Sequence, residues 1–253
     1  MSAPTGGMQL ELSVVSRAGA RSVNEDAYGV WSAPSACFCV MSDGAGGHRG
    51  GQVASKLVVS RVLDWFRAAP ACDPQSIGAA LVAANDALLS EQQRDAELAD
   101  MHATAVVLAI DRERDVATWA HLGDSRLYGF REGRVALRTR DHSLAQQMID
   151  TGYVAEDAFR GHAQRATLYA ALGLPEGCAV GLEPAQDGVR AGDVFLLCTD
   201  GWWDTISEEE MLRELQAASG PGDWLQRLDH RLVARQSEAQ DNYSALAVWC
   251  TRE

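Results

Sequence analysis

Residues 37–48, Cys-Phe-Cys-Val-Met-Ser-Asp-Gly-Ala-Gly-Gly-His, constrain the fold more than any other stretch of the chain. An apolar run rich in strand-favouring residues ends in one acid and then in glycines. The pattern predicts a buried strand that delivers Asp43 to a sheet edge, followed by a turn too crowded for side chains. A buried carboxylate stays ionised only beside a cation or dense hydrogen bonding. Further acids arriving beside Asp43 would therefore mark a cation site.

Core and charge narrow the class. With 253 residues and 47% hydrophobic content the chain can bury a large core. It shows no internal repeat, low-complexity tract or linker, so residues 1–253 are expected to form a single domain with a core at about 10–250. Thirty-five acids against 22 Lys and Arg leave a net charge of -13. No clustered basic face is visible, which argues against a nucleic-acid partner. The six cysteines lack a Cys-x-x-Cys pair, and Cys37 and Cys39 would share a strand face, a poor geometry for bridging each other. Reduced structural thiols and a cytoplasmic location are the expectation. The first residues have no secretory-leader pattern, and no apolar run approaches the ~20 residues of a membrane span. A monomer with no membrane contact is expected.

Periodicity orders the elements. Leu10 to Ser16 alternates as a half-buried strand, and a polar turn over 19–26 leads into a strand from Ala27 to Trp31. Asp26 then begins one strand and Asp43 ends the next, which makes them neighbours in an antiparallel pair. Gln52 to Arg67 has helical spacing, and a second helix opens at Asp73-Pro74 and runs towards Glu97. Two successive helices with no strand between them argue against a Rossmann alternation. A meander follows in Ala103–Ile110, Val116–Leu122, Arg126–Phe130 and Val135–Thr139. Asp141 to Gly177 is irregular, with helical pieces at Leu144–Ile149 and Glu156–Phe159, the pattern of a lid or binding loop. Val194 to Cys198 is an apolar strand ending in Thr199-Asp200-Gly201. Ser207 to Glu210 is a capping box, Asp223 to Arg235 a last helix, and Asp241-Asn242-Tyr243 leads into the strand Ser244–Trp249.

Asp26, Asp43, Asp200 and Asp241 thus share one description, each at a strand terminus. Any single Asp-Gly pair can be a plain turn. Four acids at strand termini, two of them on strongly apolar strands, instead suggest an oxygen-ligand site for Mg²⁺ or Mn²⁺. Four carboxylates balance two divalent ions. Such ions about 4 Å apart would hold a bridging water and lower its pKa.

Several segments carry a family resemblance. They are Arg21-Ser22-Val23-Asn24-Glu25-Asp26, Ser42-Asp43-Gly44-Ala45-Gly46-Gly47-His48, Gly123-Asp124-Ser125-Arg126, Cys198-Thr199-Asp200-Gly201 and Asp241-Asn242. In that order they resemble the motifs of the metal-dependent (type 2C) protein phosphatases, from about Leu10 to Trp249, in a compact bacterial form. Thr139 to Ser143 and Leu168 to Gly173 resemble the segments flanking that family's variable flap, here about 142–177. The resemblance implies an α+β, four-layer α-β-β-α sandwich and hydrolysis of phosphoserine and phosphothreonine in a binuclear Mn²⁺ or Mg²⁺ centre, with a possible third ion.

Carried over by position, Asp43 would bridge both metals with the Gly44 carbonyl on one of them, and Asp200 and Asp241 would share the first. Asp26 and Glu25 would complete the shell, Glu25 through water, and Asp124 would serve the third ion. Arg21 would grip the substrate phosphate through its guanidinium fork. Animal members carry histidine directly after the Asp-Gly pair as general acid, whereas this chain has Ala45. A metal-bound water could protonate the leaving alkoxide instead, and His48 is a further candidate, with hydrogen bonding of the glycine turn as its alternative role. Asp124 to Arg126 could otherwise be a turn with an exposed charged pair. His142 could cap the helix after Asp141, the remaining histidines lack ligand spacing, and Trp202 and Trp203 suit packing. Expected partners are phosphorylated proteins, including a Ser/Thr kinase or its substrates. The competing functions are a silent phosphoprotein-binding regulator of the same fold and a hydrolase of small phosphate esters.

Overall fold

A computed structural model describes residues 8–155, 158–159, 162–174, 178, 185–235 and 237–252. The strands are β1 (Gln9–Arg17), β2 (Asp26–Ser32), β3 (Ala36–Ala45), β4 (His102–Ala103), β5 (Ala105–Asp111), β6 (Val116–Leu122), β7 (Arg126–Arg131), β8 (Arg134–Arg138), β9 (Ala185–Gly188), β10 (Val194–Cys198) and β11 (Tyr243–Thr251). The helices are α1 (Gly47–Ala68), α2 (Pro74–Arg94), α3 (Leu144–Asp150), α4 (Asp200–Trp203), α5 (Glu208–Ala217) and α6 (Pro221–Ala234).

Two antiparallel sheets form the centre. One runs β1-β11-β10-β7-β8, the other β2-β3-β5-β6-β9 with β4 added alongside the end of β3. Strand β3 shows why its sequence is continuously apolar. Phe38 and Val40 face the α1–α2 layer, where Phe38 stacks on Phe66 at 4.1 Å, while Cys37, Cys39 and Met41 face the other sheet. A strand buried on both faces has no polar side to alternate with. Leu127, Phe195, Leu197, Leu246 and Val248 meet it from the opposite sheet. A third core, with Trp202, Trp203, Trp224 and Leu228, lies between that sheet and α4–α6. Three cores separate four layers, the α-β-β-α order expected. All six cysteines are free.

The local signals act as read. Asp73 accepts from the Ser76 N–H beside Pro74, and Ser207 and Glu210 form the capping box. Helix α1, however, begins at Gly47 rather than near Gln52. Helical glycine costs about 1 kcal/mol relative to alanine. Here contact outweighs that cost: a Cβ on Gly51 would lie 2.6 Å from the Gly44 carbonyl oxygen and from Glu25 Oε1. Helix α2 stops at Arg94, because Asp95 turns out of it and its side chain accepts from Glu97 N–H to start a short 3-10 turn. Helix α6 starts at Pro221, two residues before the expected Asp223. Of the piece expected at Glu156–Phe159, residues 156 and 157 lie outside the described residues. Among the described residues, no helix is long and apolar enough to cross a membrane.

Candidate metal centre

The register of β2 and β3 places Asp26 directly opposite Asp43. From the facing sheet, Asp200 opens α4 at the end of β10, Asp241 precedes β11, and Asp124 precedes β7. Arg21, Glu25, Asp43, Gly44, Asp124, Asp200 and Asp241 line one cleft of about 540 Å³. All the groups assigned to the site from sequence except Asp26 and His48 are therefore on its wall.

Asp26 is the exception, since it sits buried behind that wall. Its Oδ2 accepts hydrogen bonds from Thr199 Oγ1 at 3.0 Å and Ser244 Oγ at 2.6 Å, both from the opposite sheet. Its Oδ1 is buried with no hydrogen-bond partner. An orphaned carboxylate oxygen is costly. One direction of Asp26 is thus fixed by hydroxyls and the other is left for a ligand.

The electrostatics point the same way. Burial, opposed by the two hydroxyls and reinforced by Asp200 and Asp241, pushes Asp26 up to about 7. Burial and the Asp241 charge push Asp200 up to about 6. Asp43 is driven well above the carboxylate range by burial and by Asp26, Asp200, Asp124 and Asp241. Asp124 is raised likewise by burial, then by Asp200 and Asp141. These acids repel one another and oppose ionisation. Among the described residues, no three acids, histidines or cysteines already converge at ligating distance. The donor set nonetheless fits hard divalent cations, with carboxylate and carbonyl oxygens, one orphaned, and a surplus of negative charge.

The native carboxyls of Asp26 and Asp200 hold protons to about 7 and about 6, whereas an unfolded aspartate releases its proton near ~3.9. Between those limits the metal-free native state binds more protons than the unfolded chain, so its stability falls as pH rises. Urea midpoints in chelator should decline from pH 5 to pH 8, and saturating Mn²⁺ should flatten the decline because ligation requires the deprotonated forms. A metal-free midpoint that climbs across that window contradicts this charge arrangement.

The cleft is braced by Thr104, which the sequence does not mark out, and by Asn242 of the Asp241-Asn242 motif. Thr104 receives the Asp43 N–H on its hydroxyl at 2.9 Å and donates its own N–H to the Asp43 carbonyl at 2.8 Å. Asn242 donates to the carbonyls of Ala18 and Val23 and accepts from Glu25 N–H at 2.8 Å. It thereby closes the loop that carries Arg21. Arg21 itself is exposed and bonds Asp241 Oδ2 at 2.9 Å. Asp241-Asn242 offered a signal, since Asx side chains bond nearby backbone; Thr104, at the head of the apolar run 105–110, offered none.

Two alternatives read from the sequence, for Arg126 and for His142, do not hold. Gly201 serves chain packing, since a Cβ there would meet the Asn242 carbonyl at 2.1 Å. Arg126 is no exposed partner of Asp124 but is buried, paired with both Asp141 oxygens at 2.7 and 2.8 Å. Its guanidinium lies 3.5 Å from the Trp203 ring, and Trp203 Nε1 donates to the Asp124 carbonyl. Ser143, not His142, caps α3. His142 packs on the rings of His121 and Tyr169 and accepts the Gly123 N–H on Nδ1, and burial then the His121 charge lower it to about 3. His48 falls in the first turn of α1, and its side chain lies outside the described atoms.

A family model of protein phosphatase 2C matches residues 15–234, most of the chain. The chain belongs to the protein phosphatase 2C family. It is 32% identical over 179 residues to the serine/threonine protein phosphatase PstP of Mycobacterium tuberculosis, an alignment covering 70% of this chain and 34% of that protein. The chain thus spans about a third of the length of that curated relative. A crystal structure of the PstP catalytic domain in complex with two manganese ions superposes with a TM-score of 0.81 at 27% identity, covering 96% of this chain and 99% of that one. PppA, described as a key regulatory component of the type VI secretion system in Pseudomonas aeruginosa, gives 0.78 at 30% identity over 97% of this chain and all of that one.

Proposed function

We propose that this protein is a serine/threonine phosphoprotein phosphatase with a binuclear Mn²⁺ or Mg²⁺ centre. The observation that carries the reading is one cleft whose wall brings Arg21 together with acids from two sheets, backed by the buried, unpartnered Oδ1 of Asp26. Asp43 and the Gly44 carbonyl, Asp26, Asp200 and Asp241 would hold the ions, Glu25 would act through water, and Asp124 would hold a third. Two such ions supply Lewis acidity and water activation for hydrolysis. The chain's own residues then position the ester. Arg21, exposed at the mouth, exchanges Asp241 for the incoming phosphate, whose about -1.5 to -2 charge offers the stronger bidentate partner. Ala166, Thr167, Leu168 and Leu174 of the flap region border the cleft, where a phosphoprotein's flanking residues would lie.

In this reading the protein acts in the cytoplasm as a monomeric single domain, on phosphoproteins that include a Ser/Thr kinase or its substrates. The direct test is hydrolysis of a phosphothreonine peptide and of p-nitrophenyl phosphate by the purified protein. Turnover is expected with Mn²⁺ and its loss, by about 10³-fold or more, after chelation, since the ions carry the water activation. Activity that survives chelation rules out this mechanism. Tight phosphopeptide binding without turnover under any divalent ion supports the silent regulator instead.

A further inference from the structure

Hydrolysis of a phosphoserine or phosphothreonine ester releases an alkoxide, a poor leaving group unless it is protonated as the P–O bond breaks. Within the cleft the acids are committed to cations, and a guanidinium does not deprotonate in proteins. Ala45, at the end of β3, has only a methyl group. Its cross-strand partner in β4 is His102, and Gly44 pairs with Ala103 in the same register. Residues directly opposite in an antiparallel pair share a face, with Cβ atoms about 4.5–5.5 Å apart. Both Ala45 and His102 line the cleft that holds Arg21, Asp43 and Asp200. Among the described side chains on that wall, His102 is the one imidazole, the group suited to proton transfer near neutral pH.

The ring is also oriented. His102 Nδ1 lies 2.9 Å from the Asp100 carbonyl, which can only accept, so Nδ1 carries its hydrogen and Nε2 is the nitrogen that exchanges a proton. The backbone beneath it is held on both sides. Met101 O accepts from Gln92 Nε2, and Ala103 exchanges two hydrogen bonds with Leu172 at 3.0 and 2.9 Å. A group so fixed keeps its position between turnovers.

We propose that His102 is the proton donor to the leaving oxygen, an assignment that rests on the phosphatase reading above. As the P–O bond to the serine or threonine oxygen breaks, that oxygen keeps the bonding pair and takes the proton of Nε2. The attacking water forms the new P–O bond, and the proton it releases restores the imidazolium. No redox partner or further reactant is needed.

The test compares leaving groups on Mn²⁺-loaded protein, wild type against His102→Gln. p-Nitrophenolate departs as a stable anion, whereas the threonine alkoxide does not. Turnover of a phosphothreonine peptide should fall roughly 10²–10³-fold in the variant, that of p-nitrophenyl phosphate by less than about threefold, and phenyl phosphate should fall between them. The near-normal p-nitrophenyl phosphate rate reports that the fold and the metal centre are intact. Equal losses on all three substrates, or an unchanged peptide rate, would overturn the assignment. A wild-type protein inactive on every substrate would overturn the phosphatase reading itself, and the role of His102 with it.

Discussion

Asp43→Asn should lower kcat/KM by roughly 10²–10⁴-fold while raising the stability of the metal-free protein. Losing the carboxylate assigned to both ions removes several kcal/mol of charge stabilisation at about 1.4 kcal/mol per decade. The gain in stability arises from the same charge. Asp43 is pushed far up by burial and by four neighbouring acids, so its ionised form is expensive without a cation. Asparagine keeps the shape and leaves both backbone hydrogen bonds to Thr104 in place. The expected pair of results is a higher melting temperature in chelator and near-silence with Mn²⁺, a direct trade of function against stability. A variant that retains activity removes Asp43 from the mechanism; one that melts earlier in chelator contradicts the charge account.

The second large effect concerns Asp141. Arg126 is 6% exposed, with its fork on Asp141, a third contact from Nη1 to the Tyr128 hydroxyl at 2.9 Å, and its face on Trp203. Removing one partner of a buried ion pair strands the other, at a cost of about 3–5 kcal/mol. Asp141→Ala should therefore lower the urea unfolding free energy by about that amount. The double variant Arg126→Met/Asp141→Leu should recover most of the loss, because apolar replacement of a whole pair is close to neutral. If the single and double variants are equally unstable, packing against Trp203 rather than charge compensation is what holds this region. Through Trp203 Nε1 and the Asp124 carbonyl, the same disturbance should reach the proposed third ion before the first two.

What could be read from the chain in advance divides along physical lines. Asp26 and Asp43 were placed as neighbours because strand termini are marked by abrupt composition changes and antiparallel pairing does the rest. Capping residues at Ser207 and Asp73 act locally and were equally legible. Strand β9 was not: Ala-Gln-Asp-Gly has no apolar alternation, and only its pairing with β6 makes it a strand. The start of α1 was missed because glycine propensity was weighed without the backbone of β3 pressing against it. His102 looked idle because it lacks ligand spacing along the chain. Its relation to Ala45 spans 57 positions and exists only in the sheet register. The hydroxyls on Asp26 are hidden for the same reason, 173 and 218 positions away.

Asn242 joins residues that are far apart in time as well as in sequence. The loop it closes, residues 18–25, would emerge from the ribosome more than 200 residues before it does. Until Asn242 arrives, the backbone around Arg21 lacks that side chain's bonds to Ala18, Val23 and Glu25, and Asp241 is not yet made. A nascent chain therefore carries Asp26 and Asp43 but cannot assemble the cleft. The proposed metal centre would stay incomplete until residues 241 and 242 have been made, so a polypeptide stopped short of them could not perform the proposed hydrolysis.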